Sequence, residues 1–401
     1  MPRRPPEDAP TAERPIRRRD ALGAALSALV WACGGDDAPF AGPADAGPDA
    51  PADPSLLARH TFVGEAPFSV TKVGRGLDAR KRLDLGEINT TTTDVGADAF
   101  FVRTEAPDGL PPNEPAFLAL GGLVSQSLSI PMGELVRDAR PMGTHLLECS
   151  GNTRDGAFGL LSVTSWEGVL VADLLAKVSP TDPGARVLVS GRDDHSAPSE
   201  GGHSQKGASW IFSRADLVRA GAFLATKMGD RPLTRDHGAP ARLVVPGWYG
   251  CTAIKWVDTI TLVPDDAPAT DHMKEFALRT HQHYAFDLAR EYSPAALEVS
   301  AVCTRAETRL VDGKPRLRLR GLVWGGTSVT TLLRLFLDEG GGDPVTVRAP
   351  APHPTTWGVW EWTGPVLGPG RHTVRLRAEP IDVPQRRLKS GHYTRTFEVS
   401  G

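Results

Sequence analysis

Leu317, Leu319 and Leu322 alternate with Arg316, Arg318 and Arg320, and that alternation points the C-terminal part of the chain toward strands. A period of two puts apolar side chains on one face and charged ones on the other. Asp312 and Gly313 stand just before it and form a hairpin signal, because both tolerate the left-handed backbone of a two-residue turn. Residues 329–337 supply a second apolar strand, residues 372–377 alternate again, and residues 393–399 close the chain in the same way. Several short strands within roughly 100 residues predict a β-sandwich of immunoglobulin type, placed at residues 295–401. Trp357, Trp360 and Trp362 would give it bulky core or interface surface, and 42 Gly and 35 Pro agree with many turns.

The preceding block mixes both periods. Residues 186–190 and 241–245 read as short buried strands. Residues 169–177 read as a short amphipathic helix introduced by residues 165–168, and residues 216–220 as the start of another, with Ser213 as N-cap. The block is therefore α+β, and its domain is placed at residues 55–270. Residues 264–294, rich in charge and His, connect it to the C-terminal strands. A length of 401 residues accommodates two or three domains. A net charge of -3 argues against a nucleic-acid partner. The four cysteines, Cys33, Cys149, Cys251 and Cys303, lie too far apart for a CxxC pattern, which excludes a c-type haem or a cysteine-rich iron–sulfur cluster.

Arg17, Arg18 and Arg19 precede an apolar run at residues 21–32 that is too short to span a membrane. Arg18, Arg19, Asp20, Ala21 and Leu22 resemble a twin-arginine export motif, and Cys33 follows Ala32 as in a lipoprotein cleavage box. Residues 1–33 are read as this signal, with a lipid anchor at Cys33. Residues 34–54, rich in Pro, Ala and Asp, are read as a disordered tether. The expected location is outside the cytoplasm, in the periplasm or cell envelope.

His145 to Arg154 holds the chemistry. An apolar strand ends in Cys149, followed by Ser150, Gly151 and Asn152, so the thiol would stand at the mouth of a sheet. Arg154 would favour the thiolate, the nucleophilic and metal-binding form. By local pattern alone, Cys149 fits best as a small buried side chain, and the nucleophile of a Cys–His hydrolase is a further alternative for which no local signature selects the His.

This segment resembles the cysteine loop of the sulfite oxidase family, in which Cys-[Ala/Ser]-Gly-Asn-x-Arg places the thiolate on molybdenum. A second stretch, Asp236-His237-Gly238-Ala239-Pro240-Ala241-Arg242 followed by Lys255-Trp256, is similar to the part of the family that grips the pterin and its phosphate. Phe100-Phe101-Val102-Arg103, Trp166-Glu167-Gly168-Val169 and the strands around Gly321-Leu322-Val323-Trp324 add weaker likenesses. The resemblance implies a molybdopterin-binding domain followed by an immunoglobulin-like dimerisation domain, hence a homodimer. It implies molybdenum and molybdopterin as cofactors, with Cys149 as the metal ligand. Cys149, Asn152, His237, Arg242 and Lys255 would bind the cofactor, and Cys149, Arg103 and Arg154 would be catalytic. The implied activity is oxygen-atom transfer, as oxidation of sulfite or a related small oxyanion, with electrons passed to a separate protein such as a cytochrome.

The departures concern the substrate. Where family members carry an Asp-Tyr-Lys-type segment, this chain reads Asp271, His272, Met273 and Lys274, and no Tyr can be matched. Thr153 replaces the first arginine of a pair, and Glu105 lies close behind Arg103. An anion pocket less cationic than a sulfite site is expected. A sulfoxide-type reductase using the same centre and a lipid-anchored binding protein that has lost the cofactor remain alternatives. Cys251 and Cys303 are read as structural, and His281 and His283 as a solvated loop. For export, replacing Arg18 and Arg19 by Lys is expected to retain the protein in the cytoplasm. Fractionation showing undiminished export of that variant contradicts the twin-arginine reading.

Overall fold

The computed structural model describes residues 53–401, apart from 66–68, 112, 203, 349, 351–352, 382–384 and 387–390. The signal at 1–33, including Cys33, and all but the last two residues of the tether lie outside the described residues. The described residues form three sheets, belonging to one compact unit.

Two five-stranded sheets make the first block. In one, Arg140–Glu148 pairs antiparallel with Leu161–Leu170, which pairs with Phe223–Met228, which pairs with Arg242–Val244. In the other, Val257–Val263 lies parallel to Phe117–Gly122 and antiparallel to Arg186–Gly191. Leu118, Val187, Leu224, Leu243 and Ile260 are buried in one core between them. The expected strands at 186–190 and 241–245 are present, as is the helix Arg214–Ala220, where the Ser213 side chain accepts from the Asp216 N–H. The expected helix at 169–177 begins two residues late. Leu161–Leu170 is a ten-residue strand and only Val171–Ala176 is helical. The strand prevails because Val169 and Leu170 pair with Leu224 and Phe223.

The C-terminal strands form an eight-stranded antiparallel arrangement. The hairpin at Asp312 and Gly313 joins Ser300–Val311 to Lys314–Trp324, and both turn residues have positive φ, 51° and 72°. Leu317 and Leu319 are buried in its core with Leu335, Leu376, Phe397 and Trp360, which bears out the alternation. One strand departs from the expected domain boundary. Leu56–Phe62, assigned by its position to the first block, pairs with Ser300–Val311 on one side and with Thr394–Val399 on the other. It thereby links the two halves of the sheet arrangement, and Phe62 packs against the same core.

Gly321 carries a close approach. A Cβ there would lie 1.9 Å from the Val302 carbonyl oxygen and 2.4 Å from the Trp360 ring. Gly321→Ala is expected to cost at least about 2 kcal/mol, since neither a strand backbone nor a buried indole can yield. A denaturant midpoint equal to that of the parent contradicts this packing.

Candidate active site

The strand Arg140–Glu148 delivers Cys149 to the edge of its sheet, where the Cys149 N–H donates to the Leu160 carbonyl at 3.0 Å. The chain then turns back, and the Asn152 N–H donates to the Cys149 carbonyl at 2.9 Å. Within that turn the Gly151 N–H donates to the Cys149 sulfur at 3.3 Å, which fixes the side chain's direction. Cys149 is buried and lines a cleft open to solvent.

Arg103, His237, Arg242 and Lys255 line the same cleft. Arg103 leaves an extended segment whose Phe100 and Phe101 rings stack at 5.2 Å, with Phe100 set edge-on to Trp166 and His237. Its guanidinium donates to the Leu77 carbonyl at 3.2 Å and hydrogen-bonds the Cys149 sulfur. Burial lowers the Arg103 pKa, and the Cys149 sulfur opposes that shift.

His237 ends a short 3₁₀ turn, Arg235–His237, capped by Thr234. Its Nδ1 is 2.8 Å from the Thr234 hydroxyl. Burial, with Arg242 and Lys255 adding to it, pushes the imidazole down to about 3, so it is neutral near pH 7. Gly238 follows at φ 102°, and a Cβ there would lie 2.9 Å from the Lys255 Cβ and 3.1 Å from the Arg242 Cβ. A glycine here thus lets two cationic side chains converge. Arg242 donates to the His237 carbonyl at 3.1 Å and the Ala253 carbonyl at 3.4 Å, and burial lowers it to about 10. The Lys255 ammonium donates to the Thr104 and Asp236 carbonyls, at 2.5 and 2.8 Å, and lies 4.2 Å from the Trp256 ring centre. Burial, then Arg242, lowers it to about 7.

Two expected residues stand elsewhere. Asn152 does not line the cleft. Its amide donates to Glu148 at 3.1 Å and its carbonyl accepts from the Leu160 N–H at 3.1 Å, so it braces the cysteine turn instead of facing a cofactor. Arg154 is exposed, and its guanidinium lies beside Gly64. The chain is extended at Thr153 before the 3₁₀ turn Arg154–Gly156, and this carries Arg154 away from the sulfur.

Other residues were not singled out by pattern. Arg80 and Arg279 both act electrostatically on the cleft, Arg80 on Cys149 and Arg103, and Arg279 on Arg103 and Cys251. Arg80 donates to the Leu77, Ala79 and Arg103 carbonyls, and burial, then Arg103, lowers it to about 10. Arg279 stacks over the Phe276 ring at 5.1 Å and pairs with Glu275 at 3.3 Å. Glu105 is engaged elsewhere, holding Lys72 at 2.7 Å and accepting from the Gly76 N–H at 2.5 Å. The pocket beside Cys149 is therefore more cationic than its local sequence implied. The density of Arg80, Lys81 and Arg82 was the available signal. The helix Asp271–Phe276 brings His272 and Phe276 into the lining, so the connecting region, placed outside the catalytic domain by pattern, closes the cleft. Cys251, read as structural, also lines it, whereas Cys303 is buried in the C-terminal core. His281, expected to be solvated, is half-buried and bonded to the Tyr249 hydroxyl at 2.9 Å.

The cleft is built for a polar, anionic occupant. His237 Nε2, Arg242 Nε, His272 Nδ1 and Ser204 Oγ are buried, line it, and have no hydrogen-bond partner among the described residues. Buried polar groups are rarely left so. A sulfur together with a His, an Arg and a Lys in one cleft matches a soft metal on a phosphate-bearing organic group. The residues present fit molybdopterin.

Comparison with known proteins agrees. Residues 112–270 match the model of the oxidoreductase molybdopterin binding domain. The chain is 31% identical over 183 residues to the mitochondrial sulfite oxidase of Macaca fascicularis, covering 42% of this chain and 33% of that protein. It is 26% identical over 293 residues to the sulfite oxidase of Gallus gallus, covering 67% and 62%. The chain thus spans less than two thirds of the length of these relatives. In structure it resembles the sulfane dehydrogenase SoxCD of Paracoccus pantotrophus, with a TM-score of 0.60, 17% identity, and coverage of 86% of this chain and 90% of that one. Residues 112–270 thus carry an oxidoreductase molybdopterin binding domain, and the chain is similar in sequence to sulfite oxidases across that domain and beyond it.

Proposed function

We propose that the chain oxidises a small sulfur oxyanion, sulfite being the leading candidate, by oxygen-atom transfer at a molybdenum centre, and that it passes the electrons to a separate acceptor protein such as a cytochrome. The observation that carries this reading is that Arg103 and Arg80 act on the Cys149 sulfur, with Arg279 near Arg103, in a cleft that His237, Arg242 and Lys255 also line. The names of the relatives, sulfite oxidase and sulfane dehydrogenase, both point to sulfur compounds.

Bound molybdopterin would supply the two-electron redox chemistry and the substrate's reacting oxygen. The chain's own residues do the rest. Cys149 offers the metal a sulfur whose position is set by its strand and the Gly151 N–H. Arg242, Lys255 and the neutral His237 offer charge and hydrogen bonds to the pterin phosphate. Arg103 orients an oxyanion and stabilises charge that develops on it. Arg80 holds Arg103 in place through the Arg103 carbonyl, so the guanidinium is aimed before substrate arrives. Phe100, Phe101 and Phe276 limit water around these charges, which strengthens each interaction. The export motif at Arg18 and Arg19 and the cysteine at Cys33 support a location in the periplasm or cell envelope.

Cofactor loading separates this reading from a protein that kept the fold alone. Full-length protein from a molybdenum-replete host is expected to carry molybdenum and pterin in equal amounts. Arg242→Met should lower both by about tenfold, the scale typical of lost supporting contacts at metal sites. Parent protein of intact fold that contains neither sinks the proposal.

For turnover, Cys149→Ala is expected to abolish sulfite-dependent reduction of an artificial acceptor while the far-ultraviolet circular dichroism stays that of the parent. Arg103→Met should reduce kcat/KM by about a hundredfold, as for loss of one charge-stabilising donor. An undiminished kcat/KM in the Arg103 variant would move the oxyanion site elsewhere.

A further inference from the structure

Glu148, the residue before Cys149, carries a fully buried carboxylate. Such a charge persists only when every lone pair is engaged. Its Oε1 accepts from the Asn152 amide at 3.1 Å and from Arg386 Nη1. Its Oε2 accepts from the Trp324 indole N–H at 2.8 Å and from Arg386 Nη2 at 2.7 Å. Burial pushes the carboxyl pKa up, but Arg386 more than reverses this and holds it below the ordinary range.

One carboxylate thus ties both ends of the turn that carries Cys149, at residue 148 directly and at residue 152 through the amide. The other half of the tie comes from the C-terminal part of the chain, between the strands Gly370–Glu379 and Thr394–Val399. Arg386 follows Gln385, which bridges to Val299, and its own N–H donates to the Val299 carbonyl at 2.9 Å. Its Nε donates to the Tyr249 hydroxyl at 2.9 Å, and its guanidinium lies 4.8 Å from the Tyr249 ring centre. Tyr249 directly precedes the turn Gly250–Thr252, whose Gly250 and Cys251 line the cleft. Glu148, Asn152 and Arg386 themselves do not line it.

We propose that Arg386, acting through Glu148 and Asn152, is a positioning residue that sets where the Cys149 sulfur stands in the cleft, so that the C-terminal part of the chain governs the geometry of the metal ligand. This rests on the proposed role of Cys149 as that ligand. The bidentate pairing matters more than the charge alone, because a planar guanidinium fixes both oxygens of the carboxylate at once.

The test uses the full chain with Arg386→Met, Arg386→Lys and the near-isosteric Glu148→Gln, which keeps the side-chain shape should Arg386→Met fail to fold. In molybdenum-loaded protein, Arg386→Met and Glu148→Gln are expected to lower kcat by about tenfold, with KM for sulfite within about twofold, and to shift the electron paramagnetic resonance signal of the metal. Arg386→Lys should recover part of the loss. In cofactor-free full chain, iodoacetamide alkylation of Cys149, followed by mass spectrometry, should quicken by about threefold or more while Cys303 is unchanged. That readout needs no turnover, so failure of the sulfite reading leaves it intact. Variants with parent-like alkylation of Cys149 and a parent-like resonance signal overturn the proposal and reduce Arg386 to a structural brace.

Discussion

Around the cleft, several cations have been taken out of water, and burial outweighs the carboxylates that face them. Lys255 is lowered to about 7, Arg242 and Arg80 to about 10, and His237 to about 3, each with burial as the first cause. The nearby acids are shared: Asp236 and Glu105 hold Lys72, Asp193 holds His195 at 2.6 Å, and Asp193 and Asp236 offset only part of the shift on Lys255. A lysine whose folded pKa lies below its unfolded value costs stability as pH falls from the ordinary lysine range toward 7. An anion bound in the cleft would offset that cost by balancing the charge. The size and aromatic lining of the cleft follow from the same requirement, since stacked and edge-on rings keep water away from charges meant for a ligand.

The cysteine turn solves the opposite problem. Glu148 and Arg386 are both buried, but they neutralise each other with nearly every polar atom engaged. Replacing one partner of such a pair is costly, because the other is left charged and unpaired. The molecule therefore contains two kinds of buried charge a few residues apart. One is satisfied internally and gives rigidity. The other is left unsatisfied and gives affinity. Tyr249 and its neighbour Gly250 join them, since the hydroxyl of one receives Arg386 while the other lines the cleft.

Much of the site was legible because its residues sit in short, contiguous motifs. The run from Cys149 to Asn152 forms one turn, and the run from Asp236 to Arg242 forms one 3₁₀ turn and the start of one strand. Local backbone geometry dictates where such residues go. Arg154 was misread for the same reason inverted. Two residues beyond Asn152, the extended conformation at Thr153 turned its side chain outward, and no spacing rule could say so. Arg80 and Arg279 were not singled out because they come from segments far from Cys149 in the chain, one before Arg103 and one after the helix Asp271–Phe276.

The sequence by itself determined the hairpin at Asp312 and Gly313, the apolar faces of the C-terminal strands, and the candidacy of Cys149, His237, Arg242 and Lys255. These depend on periodicity and on turn chemistry, which act over a few residues. Only the tertiary structure decided that Leu56–Phe62 completes the C-terminal sheet, that Arg80 acts on the Cys149 sulfur and Arg279 on Arg103, and that Arg386 anchors the cysteine turn. Those placements come from long-range strand pairing and from the need to neutralise a buried carboxylate 238 residues away in the chain. Neither force leaves a periodic trace in the residues it brings together.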